Sequence, residues 1–538
     1  MKTFLAIHAV FWVLIPRLFR PVAHYDSTEA LAWGLTWEWG NNKHPPLSGW
    51  LAEAANRLLG DPDTAIYLLG ALCAVAGMWF VYRLASRFLP PDTAWLSALL
   101  LEGSIYYHVS ALQFNCNVLS LALVPAAIYC FWRANHTQNN PRGSEPGSQG
   151  ETINNMEPPP ADGPLRFGLA AWSWWSLTGL AGGLALLAKY TNAFAGFALL
   201  AWLLATSKGR AAWRTPGPYL AAAICLSIVW PHIAWLAGHD WEPLRYAAGK
   251  TADAAPWSLR GFFLSPLRVA LEQAGNMAAS LIAWGWLYWR TPGEDRGPKR
   301  KPDAFLICAG LLPLAGMLAT TAFLGLPVAT KWAYAFVSYA PLLLFYCFPA
   351  RIAEPRRRRA ARLGYAMMLV FGLGVAAKTF FPAASTTVDA RAMARELKNH
   401  WAETAPDAPL RYVGGDIHFV SRVSAYLPER PRPVWEMDLS QTVWESGDAI
   451  RRRGVLEMAR TPEAYRAYRE DWPDLPASPA VLFWPLRGTD SAWAAPGTNF
   501  KAAITDIGLK CAPALEPDTP APPGFFAVYC GVISPRAP

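Results

Sequence analysis

Charge is scarce in this chain. Asp, Glu, Lys and Arg make up only 16% of its 538 residues, whereas about 25% is usual in a soluble protein. Hydrophobic residues make up 53%, which argues against an ordinary soluble enzyme. The mean hydropathy of +0.15 is nevertheless too low for a chain that lies in a membrane throughout. The composition therefore predicts a membrane part joined to a water-soluble part.

Short motifs of several enzyme classes are also missing. The chain contains no HExxH, CxxC, Walker or nucleophile-elbow motif, so zinc-protease, redox and nucleoside-triphosphatase functions have no support. The net charge of +9 does not indicate nucleic acid, because the basic residues lie in short clusters between apolar runs. Membrane topology signals have that arrangement.

Long apolar runs are what the chain contains instead. We predict a polytopic α-helical membrane protein with eleven spans, each near the roughly 20 residues that cross a bilayer. The spans lie at 3–20, 65–84, 94–110, 116–133, 168–187, 191–206, 216–236, 263–289, 304–325, 332–349 and 363–381. Because Arg17, Arg20 and Pro21 follow the first run in place of a small-residue cleavage site, it is predicted to remain as a signal anchor.

Lysine and arginine are concentrated in every second connection. With the N-terminus inside, the inside connections contain Arg83 and Arg87; Arg133 and Arg142; Lys208, Arg210 and Arg214; Arg290, Arg296, Lys299, Arg300 and Lys301; and Arg351, Arg356, Arg357, Arg358, Arg359 and Arg362. This alternation agrees with the positive-inside rule. The polar, Pro/Gly-rich segment 134–166 is predicted to be a disordered inside linker.

The odd span count places residues 382–538 outside, where they are predicted to form an α/β domain. Strand-like runs occur at LRYVGG, RPVWEM, AVLFWPL and FFAVYCGVI, with helical patterns such as DAIRRRGVLEMA between them. Six of the eight cysteines lie in predicted spans. The other two, Cys511 and Cys530, lie in this tail and are predicted to form a disulfide, as cysteine pairs do in oxidising compartments.

Polar residues gather on the outer side of the predicted spans. Acids, amides, lysines and histidines occur in five segments: 24–50, 113–117, 188–192, 238–250 and 326–334. Each residue alone has an ordinary interpretation as a helix cap, a turn residue or a snorkelling anchor. The tryptophans can be interpreted as an interfacial belt. Their occurrence on one side of the membrane predicts an active site at the outer face.

The first outer loop carries a resemblance to a known family. Asp26 followed by His44-Pro45-Pro46 resembles the GT-C glycosyltransferases, and most closely the bacterial branch of the dolichyl-phosphate-mannose-protein mannosyltransferase family. That branch includes the transferase that adds aminoarabinose to lipid A. The segments FNCN, AKYT and PHIAWLAGHDWEPLRYA also resemble bacterial members. The resemblance predicts a GT-C-like membrane domain at residues 1–381.

Two positions depart from the family pattern. The usual Asp-Glu pair is Asp26-Ser27 here, and the next carboxylate is Glu29. A later position that is often Asp is Asn117. Asp26 is therefore the better candidate for the catalytic carboxylate, and the 113–117 segment contributes amides instead of a carboxylate.

The resemblance implies an inverting transferase in the bacterial inner membrane, with its active site and tail on the periplasmic side. The donor would be a polyprenyl-phosphate-linked sugar, and the acceptor lipid A, another glycolipid, a polysaccharide or a protein. No cofactor is required, and a divalent metal held by Asp26 and His44 is left open. The candidate residues are catalytic Asp26 and Glu29; donor-phosphate-binding Lys189, Lys331, Arg245 and Lys43; and substrate-binding His44, Asn115, Asn117, Tyr190, His239 and Asp240.

A transporter of a lipid-linked or small anionic substrate is the main alternative. Transporters place ionisable residues near the bilayer midplane and often contain internal repeats. The chain shows no clear repeat, and the midplane regions of its predicted spans contain few acids. A membrane-anchored sensor is a third hypothesis, but it would not explain polar residues spread over several membrane loops. The residues favour the transferase.

Overall fold

Helices account for most of the chain that the structure describes. The computed structural model describes residues 1–20, 22–137, 168–252, 258–324, 328–380, 390–404, 410, 412–415, 417–435, 481–485 and 528–532. The α-helices are α1 (Lys2–Phe19), α2 (Tyr25–Gly34), α3 (Leu47–Leu59), α4 (Pro62–Ala85), α5 (Pro91–Leu99), α6 (Cys116–Thr137), α7 (Leu169–Ala188), α8 (Ala193–Ala205), α9 (Ser207–Ala212), α10 (Gly217–Gly238), α11 (Glu242–Ala252), α12 (Leu259–Asn276), α13 (Ala278–Trp289), α14 (Ala304–Gly310), α15 (Leu312–Leu324), α16 (Ala340–Cys347), α17 (Glu354–Phe380), α18 (Ala390–Thr404) and α19 (Ile417–Tyr426). The strands are β1 (Tyr412–Gly415), β2 (Arg432–Trp435), β3 (Val481–Pro485) and β4 (Val528–Val532).

The chain divides into two units within the described residues. The first unit comprises Met1–Trp12, Gly70–Leu112 and Cys116–Gly372. The second comprises Val13–Leu69, Gln113–Asn115 and the chain from Leu373 onwards. The first outer loop groups with the tail in the second unit, and the predicted domain boundary at residue 381 stays a prediction.

Five described helices are long and apolar enough to cross a membrane: α1, α4, α6, α10 and α17. The pair α14 and α15, which bends by 51° at Leu311, would be a sixth. These helices coincide with the predicted spans at 3–20, 65–84, 116–133, 216–236, 363–381 and 304–325. Length and composition therefore indicate an integral membrane protein, but the predicted total of eleven spans is not confirmed.

Three further predicted spans contain a break. The span at 94–110 ends its α-helix at Leu99 and continues as two 3-10 turns, Leu100–Gly103 and Ile105–Tyr107. Gly103 there approaches the Ser280 backbone so closely that a Cβ would lie 2.4 Å from its nitrogen. The span at 263–289 divides at Met277 into α12 and α13, and the span at 332–349 consists of the 3-10 helix Thr330–Val337 followed by α16. Apolar composition predicts burial at these places but not where the helix breaks.

The centre of the first unit is built from closely packed helices. Helix α7 packs against both α6 and α10. A Cβ at Gly179 of α7 would lie 2.5 Å from the Ala221 carbonyl oxygen of α10, so glycine permits this close approach. The ring of Phe131 from α6 packs edge-on against Trp175 and Trp202, which lie on α7 and α8.

Two short helices and a small sheet characterise the second unit. Helices α2 and α3 cross where a Cβ at Gly34 would lie 2.3 Å from the Gly49 carbonyl oxygen, so their backbones touch. Helix α19 packs on α2. The strand order is β2-β1-β3-β4, with β1 parallel to β2 and β3, and β3 antiparallel to β4. Each strand lies within one of the four predicted strand-like runs.

Some predictions fall on residues that the structure does not describe. They are the linker from residue 138 onwards, the helical pattern DAIRRRGVLEMA, and the disulfide, because Cys511 lies outside the described residues. The α/β domain at 382–538 is likewise described only in part and remains a prediction.

Candidate active site

Asp26 lies in the first turn of α2, at the first outer loop of the predicted topology. His24 is the N-cap of this helix, and its Nδ1 accepts a hydrogen bond of 3.2 Å from the Asp26 backbone N–H. The half-buried Asp26 carboxylate accepts a bond of 3.3 Å from Asn115 Nδ2. A carboxylate at a helix N-terminus is stabilised in its charged form by the helix dipole. The aspartate is thus held from its backbone and from its side chain.

A tight turn brings the following loop back onto the same helix. Asn41 Oδ1 accepts bonds from the backbone N–H groups of Lys43 and His44, at 3.0 and 2.8 Å. The turn directs Lys43 Nζ onto the buried Glu29 carboxylate at 2.5 Å. His44 packs edge-on against Trp33, with ring centroids 5.5 Å apart. We call Asp26, Glu29, Lys43, His44 and Asn115 the carboxylate group.

Residues from the tail fasten the segment before α2. The Tyr426 hydroxyl accepts a bond of 2.7 Å from the Ala23 backbone N–H and donates one of 2.6 Å to Asp63 Oδ1. Arg391 Nη2 lies 2.5 Å from Asp63 Oδ2 and 3.3 Å from Asp61 Oδ1. Its guanidinium also covers the Tyr426 ring at 4.7 Å. We call Ala23, Asp61, Asp63, Arg391 and Tyr426 the tail clamp.

The environment of the tail clamp shifts the pKa values of Tyr426 and Asp61. Burial and the neighbouring Asp63 carboxylate raise the pKa of Tyr426 far above its usual range, so the hydroxyl remains a donor. Burial acts to raise the pKa of Asp61, but hydrogen bonds from Thr64 and the charges of Arg17 and Arg391 outweigh it and lower the pKa. A second ion pair supports the clamp, since Arg430 Nη2 lies 2.8 Å from the buried Glu53 carboxylate.

The first unit contains a separate polar group around Lys189. This lysine follows α7 in an extended conformation, is only 4% exposed, and donates to Asn117 Oδ1 at the start of α6. Its Nζ lies 5.2 Å from the centre of the Trp332 ring. An amide oxygen and an aromatic face both stabilise a charged ammonium. The Tyr190 hydroxyl shares a bond of 2.9 Å with Nε2 of the buried His232. We call Asn117, Lys189, Tyr190, His232 and Trp332 the lysine group.

A network on neighbouring helices supports the segment that contains Trp332 and Lys331. Lys331 is half-buried on the 3-10 helix Thr330–Val337. Gln273 Nε2 donates to the Thr330 carbonyl at 2.9 Å, and its Oε1 accepts from the buried Tyr106 hydroxyl at 2.7 Å. Asn276 Nδ2 donates to the same hydroxyl at 2.7 Å. The network fixes the segment from the side of α12.

Three further candidates lie together at the corner between α10 and α11. The His239 ring stacks on Trp235 at 4.0 Å. Asp240 is exposed and has a positive φ of 51°, which marks a sharp turn. Arg245 is 61% exposed and lies 3.1 Å from Glu242 Oε2 and 4.0 Å from Asp240 Oδ2. These are surface ion pairs, unlike the buried contacts of Lys189.

The structure therefore distributes the predicted residues over three groups. The carboxylate group lies in the second unit, whereas the lysine group, Lys331 and the α10–α11 corner lie in the first. The predicted segment 113–117 contributes to both units, because Asn115 groups with Asp26 and Asn117 with Lys189. Among the described residues, no three or more His, Cys, Asp or Glu side chains are grouped to hold a metal ion.

Several residues of these groups carry no signal in the sequence. The partners Tyr426 and Ala23 are 403 positions apart, so no local pattern connects them. Trp332 and His232 look like belt or core residues, and Tyr106 and Gln273 occur within apolar surroundings. His24 had a local signal, because it stands directly before a helix whose first turn contains an acid. His232 and Trp332 lie in segments that the sequence analysis named, but the sequence did not indicate their contacts.

The fold is shared with solved structures. The structure of ArnT from Cupriavidus metallidurans bound to undecaprenyl phosphate matches with a TM-score of 0.54 and 14% identity, covering 99% of this chain and 97% of that one. The apo structure of the same protein matches with a TM-score of 0.52 and 13% identity, with the same coverage of both chains. No curated protein sequence matches significantly. At this identity the likeness shows the fold alone.

The sequence family agrees with the fold. Residues 43–143 and 169–235 match the model of the family described as dolichyl-phosphate-mannose-protein mannosyltransferase. The match covers less than a third of the chain, and the resemblance predicted from its first outer loop is confirmed. The matched residues include Lys43, His44, Asn115, Asn117 and Lys189.

Proposed function

We propose that this protein is an integral-membrane glycosyltransferase that moves a sugar from a polyprenyl-phosphate carrier to an acceptor. The observation that carries the proposal is the position of Asp26. In a chain of the GT-C type, it is a half-buried carboxylate at a helix start, held by Asn115 through its side chain and by His24 through its backbone. A fixed carboxylate of this kind suits a general base.

The reaction follows from these groups as an in-line displacement. An acceptor hydroxyl transfers its proton to the Asp26 carboxylate while its oxygen forms a bond to the anomeric carbon. The bond between that carbon and the carrier phosphate breaks, and the electron pair leaves with the polyprenyl phosphate. Attack opposite the leaving group inverts the anomeric centre. If the acceptor is instead a phosphate, which is already anionic, Asp26 orients it or the sugar.

The leaving phosphate requires cationic ligands, and Lys189 is the strongest candidate. Its contacts with Asn117 and the Trp332 ring support the charged form at a buried position, where a charge-assisted bond to phosphate is strongest. Lys331 lies beside Trp332 and is the second candidate. Arg245 is the weaker candidate because it is exposed and already contacts Glu242.

Lys43 and Glu29 form a pair in which each residue can serve the other. The two side chains form an ion pair of 2.5 Å and are only 16% and 9% exposed. We propose that Glu29 supports catalysis by holding Lys43, which then contacts the carrier phosphate. Six other residues are proposed to contact the sugar or the acceptor: His44, Asn115, Asn117, Tyr190, His239 and Asp240.

The proposed cellular setting follows the predicted topology. Residues 1–381 would form the catalytic membrane domain in a bacterial inner membrane, and residues 382–538 a periplasmic α/β domain that supports acceptor binding. The acceptor would be lipid A, another glycolipid, a polysaccharide or a protein.

Mass spectrometry of lipid and glycan fractions, with and without the gene, tests the proposal. We expect deletion to remove one hexose-, pentose- or amino-sugar-sized adduct, whose mass and attachment site identify the sugar and the acceptor. Reconstituted protein should then release polyprenyl phosphate in equal amount to the product formed. Unchanged adducts, with altered uptake of a lipid-linked or anionic compound into proteoliposomes, would favour the transporter alternative.

A further inference from the structure

Three arginines from two separate connections converge on one cleft in the first unit. Arg290 follows the end of α13, and Arg356 and Arg359 lie in the first two turns of α17. Together with Trp286 they line a cleft of ≈ 440 Å³. An adjoining cleft of ≈ 370 Å³ shares Arg359 and is also lined by Glu354, Pro355, Arg358 and Arg362.

The carboxylates of this region are paired with other arginines. Glu354 lies 2.6 Å from Arg357 and 2.8 Å from Arg358, and Asp92 pairs with Arg357 as well. Within the part of the chain that the structure describes, no carboxylate forms an ion pair with Arg290, Arg356, Arg359 or Arg362. The two clefts therefore carry an excess of positive charge.

One atom of the cleft also requires a hydrogen-bond acceptor. Nη1 of Arg356 is buried and has no partner among the described residues. A buried charged donor without an acceptor is unfavourable. The first two turns of α17 also lie at the positive end of the helix dipole, which disfavours arginine there unless an anion is present.

The clefts lie where a lipid headgroup would be. Helix α17 is a candidate membrane span, and its arginines precede its apolar stretch. Trp286 lines the cleft, and Trp289 one turn later is 71% exposed. Exposed indoles at the end of an apolar helix are typical of the headgroup region. The positive-inside rule explains why these connections are basic, but it does not require arginines 66 positions apart to line one cleft.

We propose that the two clefts bind an anionic phospholipid with two phosphates, of the cardiolipin type. One phosphodiester would contact Arg290, Arg356 and Arg359, and the other would contact Arg359 and Arg362. Planar guanidinium groups suit bidentate contacts with phosphate oxygens. The lipid would lie on the side of the predicted inside connections. This proposal is independent of the transferase reaction.

Native mass spectrometry of the full-length protein in detergent tests the site. Cardiolipin, phosphatidylglycerol, phosphatidylcholine and inorganic phosphate are titrated separately. We expect one cardiolipin to be retained most strongly, with about fivefold weaker binding for each of Arg356→Gln and Arg359→Gln, since a basic residue at a lipid surface contributes on that order. The matched control is Arg351→Gln, an exposed arginine that lines neither cleft and should change binding less than about twofold.

The remaining outcomes decide against the proposal. Equal losses for Arg351→Gln and Arg356→Gln would mean general charge attraction without a site. Inorganic phosphate that competes as well as the lipid headgroup would mean a simple anion site. If the glutamine variants do not fold, Arg356→Lys is used instead, because lysine keeps the charge but lacks the planar guanidinium group. Undiminished cardiolipin retention in Arg356→Lys would overturn the proposed bidentate contacts.

Discussion

The carboxylate group and the lysine group are both buried and polar, but they are stabilised differently. In the second unit, acids and bases form ion pairs: Glu29 with Lys43, Glu53 with Arg430, and Asp63 with Arg391. In the first unit, Lys189 contacts an amide oxygen and an indole ring. Ion pairs with low exposure fix geometry at a desolvation cost. Under the proposed function, Asp26 would act as the base and Lys189 would bind the carrier phosphate.

Removing the charge of Asp26 is expected to have the largest effect. Asp26→Asn keeps the shape and the contact with Asn115 but cannot accept a proton, so kcat should fall about 10²- to 10⁴-fold. Transfer is measured with reconstituted protein and a polyprenyl-phosphate sugar. The control Glu294→Gln alters an exposed acid outside the candidate groups and should leave kcat within about twofold. Full activity in a well-folded Asp26→Asn protein would exclude the aspartate from the mechanism.

Lys189→Met should affect the donor more than the chemistry. Loss of one buried charge-assisted contact is expected to raise the donor KM about 10- to 100-fold, with a smaller change in kcat. Steady-state kinetics over a range of donor concentrations checks the expectation. Lys208→Met is the matched control, because Lys208 is exposed on α9. An unchanged donor KM would leave Lys189 as a structural residue and shift attention to Lys331.

Tyr426→Phe tests whether the tail clamp supports the carboxylate group. The variant removes the bonds to Ala23 and Asp63 and leaves a buried backbone N–H unpaired, so it should lower stability by about 1–3 kcal/mol. Because Ala23 stands three residues before Asp26, kcat should fall more than the donor KM changes. Thermal unfolding and kinetics measure the two effects. Tyr219→Phe, whose hydroxyl is exposed, should change neither by much.

Acid should weaken the tail clamp. The pKa of Asp61 is lower in the folded protein than its usual value. Its stabilising contribution is therefore complete above that usual value, about pH 4, and is lost as the pH falls further. Unfolding followed between pH 3 and pH 7 should show this decrease in the wild type and a smaller one in Asp61→Asn. Parallel curves for the two proteins would contradict the role of Asp61.

Arg245→Gln is expected to have the smallest effect. Exposed ion pairs contribute about 0.2–1 kcal/mol, and Arg245 is exposed beside Glu242. The donor KM should remain within about twofold of the wild type. The free energy of unfolding should remain within about 1 kcal/mol of the wild type. A large rise in donor KM would instead assign the carrier phosphate to the α10–α11 corner. Arg245 would then replace Lys189 as the strongest candidate for binding it.

Long and repetitive patterns were the features that sequence could predict. Helices form at four predicted apolar runs: 3–20, 65–84, 116–133 and 216–236. About 20 apolar residues are long enough to cross a bilayer, and a helix pairs all their backbone N–H and C=O groups within the segment. All four strand-like runs of the tail contain strands. Helix breaks were missed because they depend on tertiary packing, as at Gly103 against Ser280.

Parts of the candidate site were predictable for a different reason. Asp26, Glu29, Lys43 and His44 lie within 19 positions of one another, so a local motif contains them and the turn at Asn41 brings them together. The pairing of Asn115 with Asp26, and of Asn117 with Lys189, joins residues 89 and 72 positions apart. The resemblance of the segments FNCN and AKYT to family members indicated Asn115, Asn117 and Lys189, but it did not indicate which residues they contact. The tail clamp was missed, since an ion pair between an acid at the start of a helix and an arginine 328 positions away has no local pattern.

Binding of sugar-free polyprenyl phosphate to the wild type, Asp26→Asn and Lys189→Met tests the central claim most directly. The measurement uses purified full-length protein in detergent and separates carrier binding from catalysis. The account predicts that Asp26→Asn binds the carrier within about twofold of the wild type, whereas Lys189→Met binds it at least about tenfold more weakly. Weakened binding in Asp26→Asn together with unchanged binding in Lys189→Met would contradict the proposed division between a catalytic carboxylate and a phosphate-binding lysine.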